Sequence, residues 1–142
     1  MHAPVGSTAT FRLHLWPEPF GVARLSALPA GGDVIRSAGP PVALIGGHDE
    51  ISLLAPETVI DALGELVERH ERGWRALTFD AVFDLSTVGL LAAVTRALAA
   101  VEIPVMAFSS HDTDHLLVPA AQVGRALIAL HQAGLERFTA PA

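Results

Sequence analysis

Short apolar runs alternate with polar turns along the first half of the chain. FRLHLW (11–16) alternates apolar and polar residues, which predicts a strand or an extended arm that ends at the prolines of PEP. FGVARLSAL (20–28) predicts a further strand, and a loop rich in glycine and proline follows it. In VALIGGHDEISLLAPE (42–57) two apolar runs flank a polar turn, which is the pattern of a β-hairpin.

Apolar residues with helical spacing follow this hairpin. Pro56 stands where a first helical residue is expected, because the first turn leaves unpaired the N–H that proline lacks. The apolar positions after it are Val59, Ile60, Leu63, Leu66 and Val67. The pattern predicts a helix that runs to about Glu71 and ends at Gly73.

The second half of the chain opens with a strand pattern and a helix pattern. WRALTFDAVF (74–83) predicts the strand. Apolar spacing from Thr87 to Ala100 predicts the helix, and Asp84 or Ser86 can cap its first turn.

Two more strands and a final helix follow. IPVMAFSS (103–110) and DHLLV (114–118) predict strands joined by a polar turn. PAAQVGRALIALHQAG predicts an amphipathic helix, with Pro119 near its start and Gly134 at its end. Its inward positions are Val123, Leu127 and Leu130.

The two halves share one order of features. Each contains an apolar strand, a turn with histidine and aspartate, a second apolar strand, a proline and a helix, as in GGHDEISLLAPE (46–57) and SSHDTDHLLVPA (109–120). We therefore predict an α+β fold of two ferredoxin-like βαββα repeats, residues 1–72 and 73–142, with antiparallel sheets and helices on one face. The first repeat is expected to be degenerate, because a loop replaces most of its first helix.

Composition narrows the possible chemistry. The 142 residues suffice for one ordinary domain or two very small ones that share a core, and 51% of them are hydrophobic against 17% charged. The sequence contains no lysine and no cysteine, so it offers no Schiff base, thiolate nucleophile, disulfide or thiolate metal ligand.

Charge and hydropathy bear on partners and location. The net charge of −6 and the scatter of the nine arginines argue against nucleic acid, since phosphate binding needs a clustered basic face. No apolar segment reaches the roughly 20 residues of a membrane span, and residues 1–10 lack the layout of a signal peptide. We expect a cytoplasmic protein with neither nucleic acid nor membrane as a partner.

The segment from Gly73 to Pro119, GWRALTFDAVFDLSTVGLLAAVTRALAAVEIPVMAFSSHDTDHLLVP, resembles the second repeat of small tandem ACT-domain proteins. These are related to the ACT modules that regulate aspartokinase and to animal arginine sensors of the CASTOR type. The most specific features are the glycine of TVGLLAAV and the S-S-x-D-T-D-x-L-L-V block. The similarity extends from about Phe20 to Gly134, with departures at Ser110, where threonine is usual, and at His115, where an aromatic residue is usual.

The resemblance implies an allosteric protein that binds a small molecule, typically an amino acid, at an interface between repeats or subunits. It implies no catalytic residue and no cofactor, and a homodimer is expected because ACT-like repeats usually join edge to edge. The ligand would contact the loop after the first strand of the second repeat and the S-S-x-D-T-D block. The corresponding residues are Asp84, Ser86, Thr87, Val88, Gly89, Leu90, Ser109, Ser110, Asp112 and Asp114.

The chemistry of these residues is consistent with an amino-acid site. Backbone N–H groups at the start of the Thr87 helix can hold a carboxylate, and Gly89 would let it approach closely. Gly89 is equally explained by tight packing of the helix on the sheet. Asp84, Asp112 and Asp114 can pair with an ammonium group, while Asp112 is also a common turn residue.

The polar block also contains metal-binding and triad-like residue types. Metal-binding groups occur at His111, Asp112, Asp114 and His115. Neighbouring residues of a strand point to opposite faces, so one ion cannot collect all four and no metal is expected. Ser109 or Ser110 with His111 and Asp112 has the composition of a hydrolase triad but not its geometry.

Two other classes of function remain open. The same pocket could use acid–base groups at Asp84, His111, Asp114 or His115 to act on an amino-acid-derived substrate. Alternatively, the chain could be a dimerisation module whose pocket holds no ligand. Trp16 and Trp74 are expected to serve in packing and not in ligand stacking.

Overall fold

The computed structural model describes residues 12–81, 88–135 and 137–139. Within these ranges the strands are β1 (Arg12–Leu25), β2 (Ala43–Gly47), β3 (Glu50–Pro56), β4 (Val67–Phe79), β5 (Met106–Ser109), β6 (Asp114–Pro119) and β7 (Arg137–Thr139). The helices are α1 (Gly31–Val34), α2 (Glu57–Asp61), α3 (Leu90–Ala100) and α4 (Val123–Gln132). Short 3-10 turns occupy Gly64–Leu66 and Ala120–Gln122.

These strands form one sheet with the order β2-β3-β1-β4-β6-β5, and β7 pairs with β1. Neighbouring strands are antiparallel, except that β1 and β7 are parallel. β1 pairs with β3 near its C-terminal end and with β7 near its N-terminal end. β4 pairs with β1 along most of its length and with β6 over Trp74–Thr78. The sheet is therefore continuous between the two halves of the chain.

The predicted division between residues 72 and 73 falls inside β4. Around it, the strand order is β2-β3-β1-β4 in the first half and β5-β6-β4-β1 in the second. Because β1 and β4 belong to both groups, the halves share a sheet as well as a core. The division into two repeats at this point stays a prediction.

The prediction that the helix continues to Glu71 is wrong beyond Asp61. α2 ends at Asp61, and β4 begins at Val67. Gly64 takes a left-handed φ of 56°, which breaks the helical path. ERHER (68–72) contains no apolar residue for a helix to bury, whereas pairing with β1 gives hydrogen-bond partners to the backbone groups on one edge of this segment.

Two sites that were predicted to end a strand or a helix lie within strands instead. The prolines of PEP do not end a strand, because β1 continues through them with a register shift between Leu15 and Pro19. Arg75 stabilises this bulge, because its Nε and Nη2 donate to the carbonyl oxygen of Trp16 at 3.0 and 2.7 Å. Gly73, predicted to end a helix, lies inside β4 with a φ of 84°, next to a second register shift.

The predicted hairpins and the helices of the second half are confirmed. His48 and Asp49 form the turn between β2 and β3, and both have positive φ (49° and 64°), as the turn that suits a two-residue hairpin requires. α3 lies within the predicted helix, whose predicted first residue, Thr87, is outside the described ranges. α4 is followed by Gly134, whose φ of 72° suits a helix end.

Both faces of the sheet bury apolar side chains. The cluster beneath α3 and α4 includes Leu77, Phe79, Leu90, Val94, Leu98, Leu116, Val118 and Leu130. The cluster beneath α1 and α2 contains Ala23, Leu25, Val34, Leu53, Ala55 and Ile60. The opposite, inner face buries Phe20, Leu54, Ala76 and Leu117, against which Trp16, Ala43, Met106 and Phe108 pack. Because residues of the edge strands β2 and β5 join this inner cluster, we infer that the sheet curls around it.

Candidate ligand-binding site

The polar block forms a tight turn between β5 and β6. The N–H and the hydroxyl of Ser110 both donate to the carbonyl oxygen of Thr113, at 2.9 and 3.2 Å. Thr113 Oγ1 donates to the carbonyl oxygen of Phe79 (2.6 Å), which fixes the turn to the end of β4. Ser109 Oγ donates to Asp114 Oδ1 (2.6 Å) between the two strands. These polar groups therefore hold the hairpin in shape.

The tip of this turn faces solvent. His111 Nδ1 lies 2.8 Å from Asp112 Oδ1, and the two side chains are 87% and 63% exposed. His115, four residues further, is buried. Across the described ranges, no group of three or more His, Cys, Asp or Glu side chains is placed to hold a metal ion.

His115 is buried between two hydroxyl groups on the inner face of the sheet. Its Nδ1 lies 2.9 Å from Thr78 Oγ1, and its Nε2 lies 3.0 Å from Ser110 Oγ. Phe108 stacks on its imidazole, with ring centroids 5.0 Å apart. Trp16 Nε1 donates to Thr78 Oγ1 at 2.8 Å. These contacts connect β1 to the β5–β6 turn, and we call them the His115 hydrogen-bond chain.

The groups at the two ends of the His115 hydrogen-bond chain fit an imidazole whose proton is on Nε2. The indole N–H can only donate, so the hydrogen of Thr78 remains available for Nδ1. With the hydrogen of Ser110 directed at the carbonyl oxygen of Thr113, Ser110 Oγ can accept from Nε2. A neutral ring protonated at Nε2 satisfies every member. Burial lowers the pKa of His115, with a smaller opposite effect of the Asp114 carboxylate, and so favours this neutral form.

A cavity of about 660 Å³ opens beside the His115 hydrogen-bond chain. Its lining in the first half is Trp16, Ile35, Arg36, Ser37, Gly39, Pro40, Pro41, Val42, Ala43, Leu44 and Ile45. Its lining in the second half is Thr78, Phe108, Ser109, Ser110 and His115. We call it the β2–β5 cavity, because both edge strands of the sheet line it. Its volume is typical of small-molecule sites.

The β2–β5 cavity combines apolar walls with few polar groups. Trp16 and Phe108 contribute aromatic rings, and the hydroxyls of Ser109 and Ser110 border the cavity beside the neutral His115. Arg36 is the one residue with a permanent charge among those described in the lining, and no aspartate or glutamate is among them. The arrangement can hold a small molecule with an apolar body and polar ends.

A second cavity of about 400 Å³ shares Trp16 and Thr78 with the first. Its remaining lining is His14, Phe79, Asp80, Ala81, Asp112 and Thr113. The two neighbouring cavities therefore differ in charge. An arginine lines the first, and two aspartates line the second.

The structure distributes the polar residues of the predicted site among different environments. Ser109 and Ser110 line the β2–β5 cavity, and Asp112 lines the second cavity. Asp114 binds the hydroxyl of Ser109. The predicted contacts Asp84, Ser86 and Thr87 lie outside the described ranges.

The residues at the start of α3 line neither cavity. Val88 is 85% exposed, and Gly89 precedes the helix with a φ of 94°. Leu90 is buried in the core beneath α3. Their assignment as ligand contacts stays a prediction.

Sequence reasoning missed Arg36 and Thr78. Trp16, expected to serve in packing, packs against the inner cluster and also lines both cavities. A signal for Thr78 was present, because alternation in WRALTFDAVF puts it on the inner face, opposite Leu77 and Phe79. Arg36 lies in a glycine- and proline-rich loop, where periodicity gives no direction.

An antiparallel sheet with helices packed on it defines an α+β fold. Residues 69–132, from β4 to the end of α4, match the family model of the ACT domain. The sequence has no match among curated proteins. No helix in the described part of the chain is long and apolar enough to cross a bilayer.

Solved structures share this fold over most of the chain. Protein Atu0741 from Agrobacterium tumefaciens is 26% identical, with a TM-score of 0.74 over 93% of this chain and 96% of that one. VC0802 from Vibrio cholerae, a protein of unknown function described as a possible transport protein, is 18% identical, with a TM-score of 0.67 over 88% of this chain and 91% of its own. The ligand-free regulatory subunit of aspartate kinase from Thermus thermophilus is 15% identical, with a TM-score of 0.60 over 88% and 99%. The last two show a shared fold and no more.

Proposed function

We propose that this chain is a regulatory protein of two ACT-type repeats that binds an amino acid without chemistry on it. The ACT match over residues 69–132 and the fold shared with an aspartate kinase regulatory subunit support a ligand-binding regulatory role. The similar strand order in both halves supports a tandem arrangement, and we propose that it is related to the CASTOR-type sensors. We propose further that it acts in the cytoplasm as a homodimer.

The position of the β2–β5 cavity is the observation that carries the proposal. Its walls include strands from opposite ends of the sheet order, one in each half of the chain. A ligand that contacts both walls binds more tightly when they are close than when they are apart. It therefore shifts the population toward the closed arrangement, and this differential affinity is what couples a ligand to a distant equilibrium.

The lining supplies the contacts that an amino acid needs. Ser109 and Ser110 offer hydroxyls to its polar end, while Trp16 and Phe108 can face its side chain. We retain the loop at residues 84–90, with Asp112 and Asp114, as further predicted contacts.

The environment of His115 favours binding over catalysis. Both ring nitrogens are bonded to hydroxyl groups, and no carboxylate among the described lining residues can relay a proton. The neutral imidazole is hydrogen-bonded at both nitrogens and is therefore held in place in the wall of the cavity.

A thermal-shift screen of the twenty amino acids tests the proposal, because a ligand at 100 times its Kd adds about 2.7 kcal/mol to stability. We expect at least one to stabilise the protein and to be recovered unchanged by mass spectrometry. Ser37 lines the cavity and its neighbour Ala38 does not, so Ser37→Trp should abolish the shift while Ala38→Trp preserves it.

Two results would contradict the proposal. Conversion of the stabilising compound would show an enzyme. Absence of any shift, together with a dimer that persists on dilution, would favour a dimerisation module.

A further inference from the structure

The charge of the β2–β5 cavity specifies its ligand more closely than the fold does. We infer, on the basis of the proposed function, that the ligand carries a net negative charge and places an acidic group against the Arg36 guanidinium. Among amino acids this selects the acidic class. A small dicarboxylate without an amino group has the same chemistry.

Arg36 is available for a ligand. Its side chain is exposed, and no other described residue forms a hydrogen bond or ion pair with it. Several other arginines are engaged within the protein. Arg72 pairs with Asp61, and Arg75 donates to a backbone carbonyl. A planar guanidinium with free donors is suited to bidentate binding of a carboxylate.

The rest of the lining does not neutralise Arg36. The side chains around it are hydroxyls, prolines, aliphatic groups and rings, and the imidazole of His115 is neutral. A cationic ligand would face the guanidinium without any acidic partner in this lining, and like charges at close range oppose binding. A neutral zwitterion brings no net negative charge to balance the guanidinium, whereas an acidic amino acid does.

The nearest acidic residues of the polar block are outside the described lining of the β2–β5 cavity. The Asp114 carboxylate accepts from Ser109 Oγ, so its negative charge lies nearest the Ser109 end of the cavity and leaves Arg36 as the place for an acidic group of the ligand. Asp80 and Asp112 line the second cavity, beyond Trp16 and Thr78. The apolar surfaces of Pro40, Pro41 and Phe108 remain for the body of the ligand.

Titration calorimetry at constant ionic strength tests the inference. The probes are L-aspartate, L-glutamate, succinate, L-leucine and L-arginine. We expect at least one of the first three to bind at least tenfold more tightly than leucine or arginine. Arg36→Gln should weaken that binding about tenfold or more, and Arg36→Lys should weaken it less.

Arg96→Gln is the matched control, because Arg96 is exposed on α3 and does not line the cavity. It should leave the affinity unchanged. Tighter binding of leucine or arginine, or an Arg36→Gln variant with unaltered affinity for the acids, would overturn the inference and leave the proposed function standing. Binding of succinate alone would support the anionic class and overturn the amino-acid assignment. Binding of none of the probes, with stabilisation by another amino acid in the thermal screen, would again overturn only the inference.

Discussion

Thr78 Oγ1 and His115 Nδ1 lie 2.9 Å apart, on residues directly opposite each other in the β4–β6 ladder. The same hydroxyl accepts from the indole of Trp16 on β1. One threonine therefore connects three strands on the inner face and holds the imidazole in the wall of the β2–β5 cavity.

Thr78→Val should destabilise the protein by about 1 to 3 kcal/mol, because it removes a hydrogen-bond partner from the buried His115 and from the partly buried indole of Trp16 at nearly constant volume. Chemical denaturation measures the loss. Thr95→Val is the control, because the Thr95 hydroxyl donates only to carbonyls of its own helix. Equal effects of the two substitutions would show that the hydrogen bonds of Thr78 to Trp16 and His115 do not contribute to stability in this way.

Stability should depend on pH through His115. Its folded pKa is lowered from 6.5, mainly by burial, so the unfolded chain binds this proton more tightly. The contribution of His115 to the free energy of unfolding is fully present above about pH 6.5. It is lost as the pH falls from there toward the folded pKa, and it no longer changes below the folded pKa. Denaturation curves between pH 8 and 5 should show a smaller loss for His115→Gln than for the parent protein. Identical pH profiles would refute this origin of the dependence.

The ends of α3 and α4 should respond oppositely to substitution. Both helices end in the same hydrogen-bonded motif, in which Ile103 N donates to Leu98 O at the end of α3 (3.0 Å). The left-handed position is Glu102 (φ 57°) after α3 and Gly134 (φ 72°) after α4. Glu102→Gly should stabilise the protein, and Gly134→Ala should destabilise it, each by about 0.5 to 1 kcal/mol. A fall in Tm for the first variant would contradict this account.

Gly21 should tolerate no side chain, because His70 packs against it. A Cβ at Gly21 would lie 2.1 Å from His70 Nε2, a buried atom on the neighbouring strand β4. Gly21→Ala should cost about 1 to 3 kcal/mol through forced displacement of the ring. Adding His70→Ala should recover part of the loss, and a double-mutant cycle measures this coupling.

Gly124→Ala is the matched control for Gly21→Ala. A Cβ at Gly124 meets no atom within 4 Å, and the residue lies in α4. Alanine there should raise stability by up to about 1 kcal/mol, because it reduces the entropy of the unfolded chain. Similar losses at both positions would show that the contact with His70 is not the cause.

The sequence by itself determined the elements whose causes are local. The turn at His48 and Asp49, the apolar stripes of α3 and α4 and the helix end at Gly134 all depend on periodicity and short-range sterics, and all were predicted. The polar block at Ser109–Asp114 was also predicted as a turn between strands, although the sequence did not show that its groups mostly bond one another.

Only the tertiary structure decided the path of β1 and β4 and the composition of the cavity. Residues 68–72 became a strand because β1 offered hydrogen-bond partners, a cause that no local pattern contains. Trp16 and Thr78 are 62 positions apart, and Thr78 and His115 are 37 apart, so strand register brings them together. Arg36 reaches the same cavity from a loop without periodicity. The physical reason is that a binding site depends on long-range pairing, whereas secondary structure patterns record mainly short-range forces.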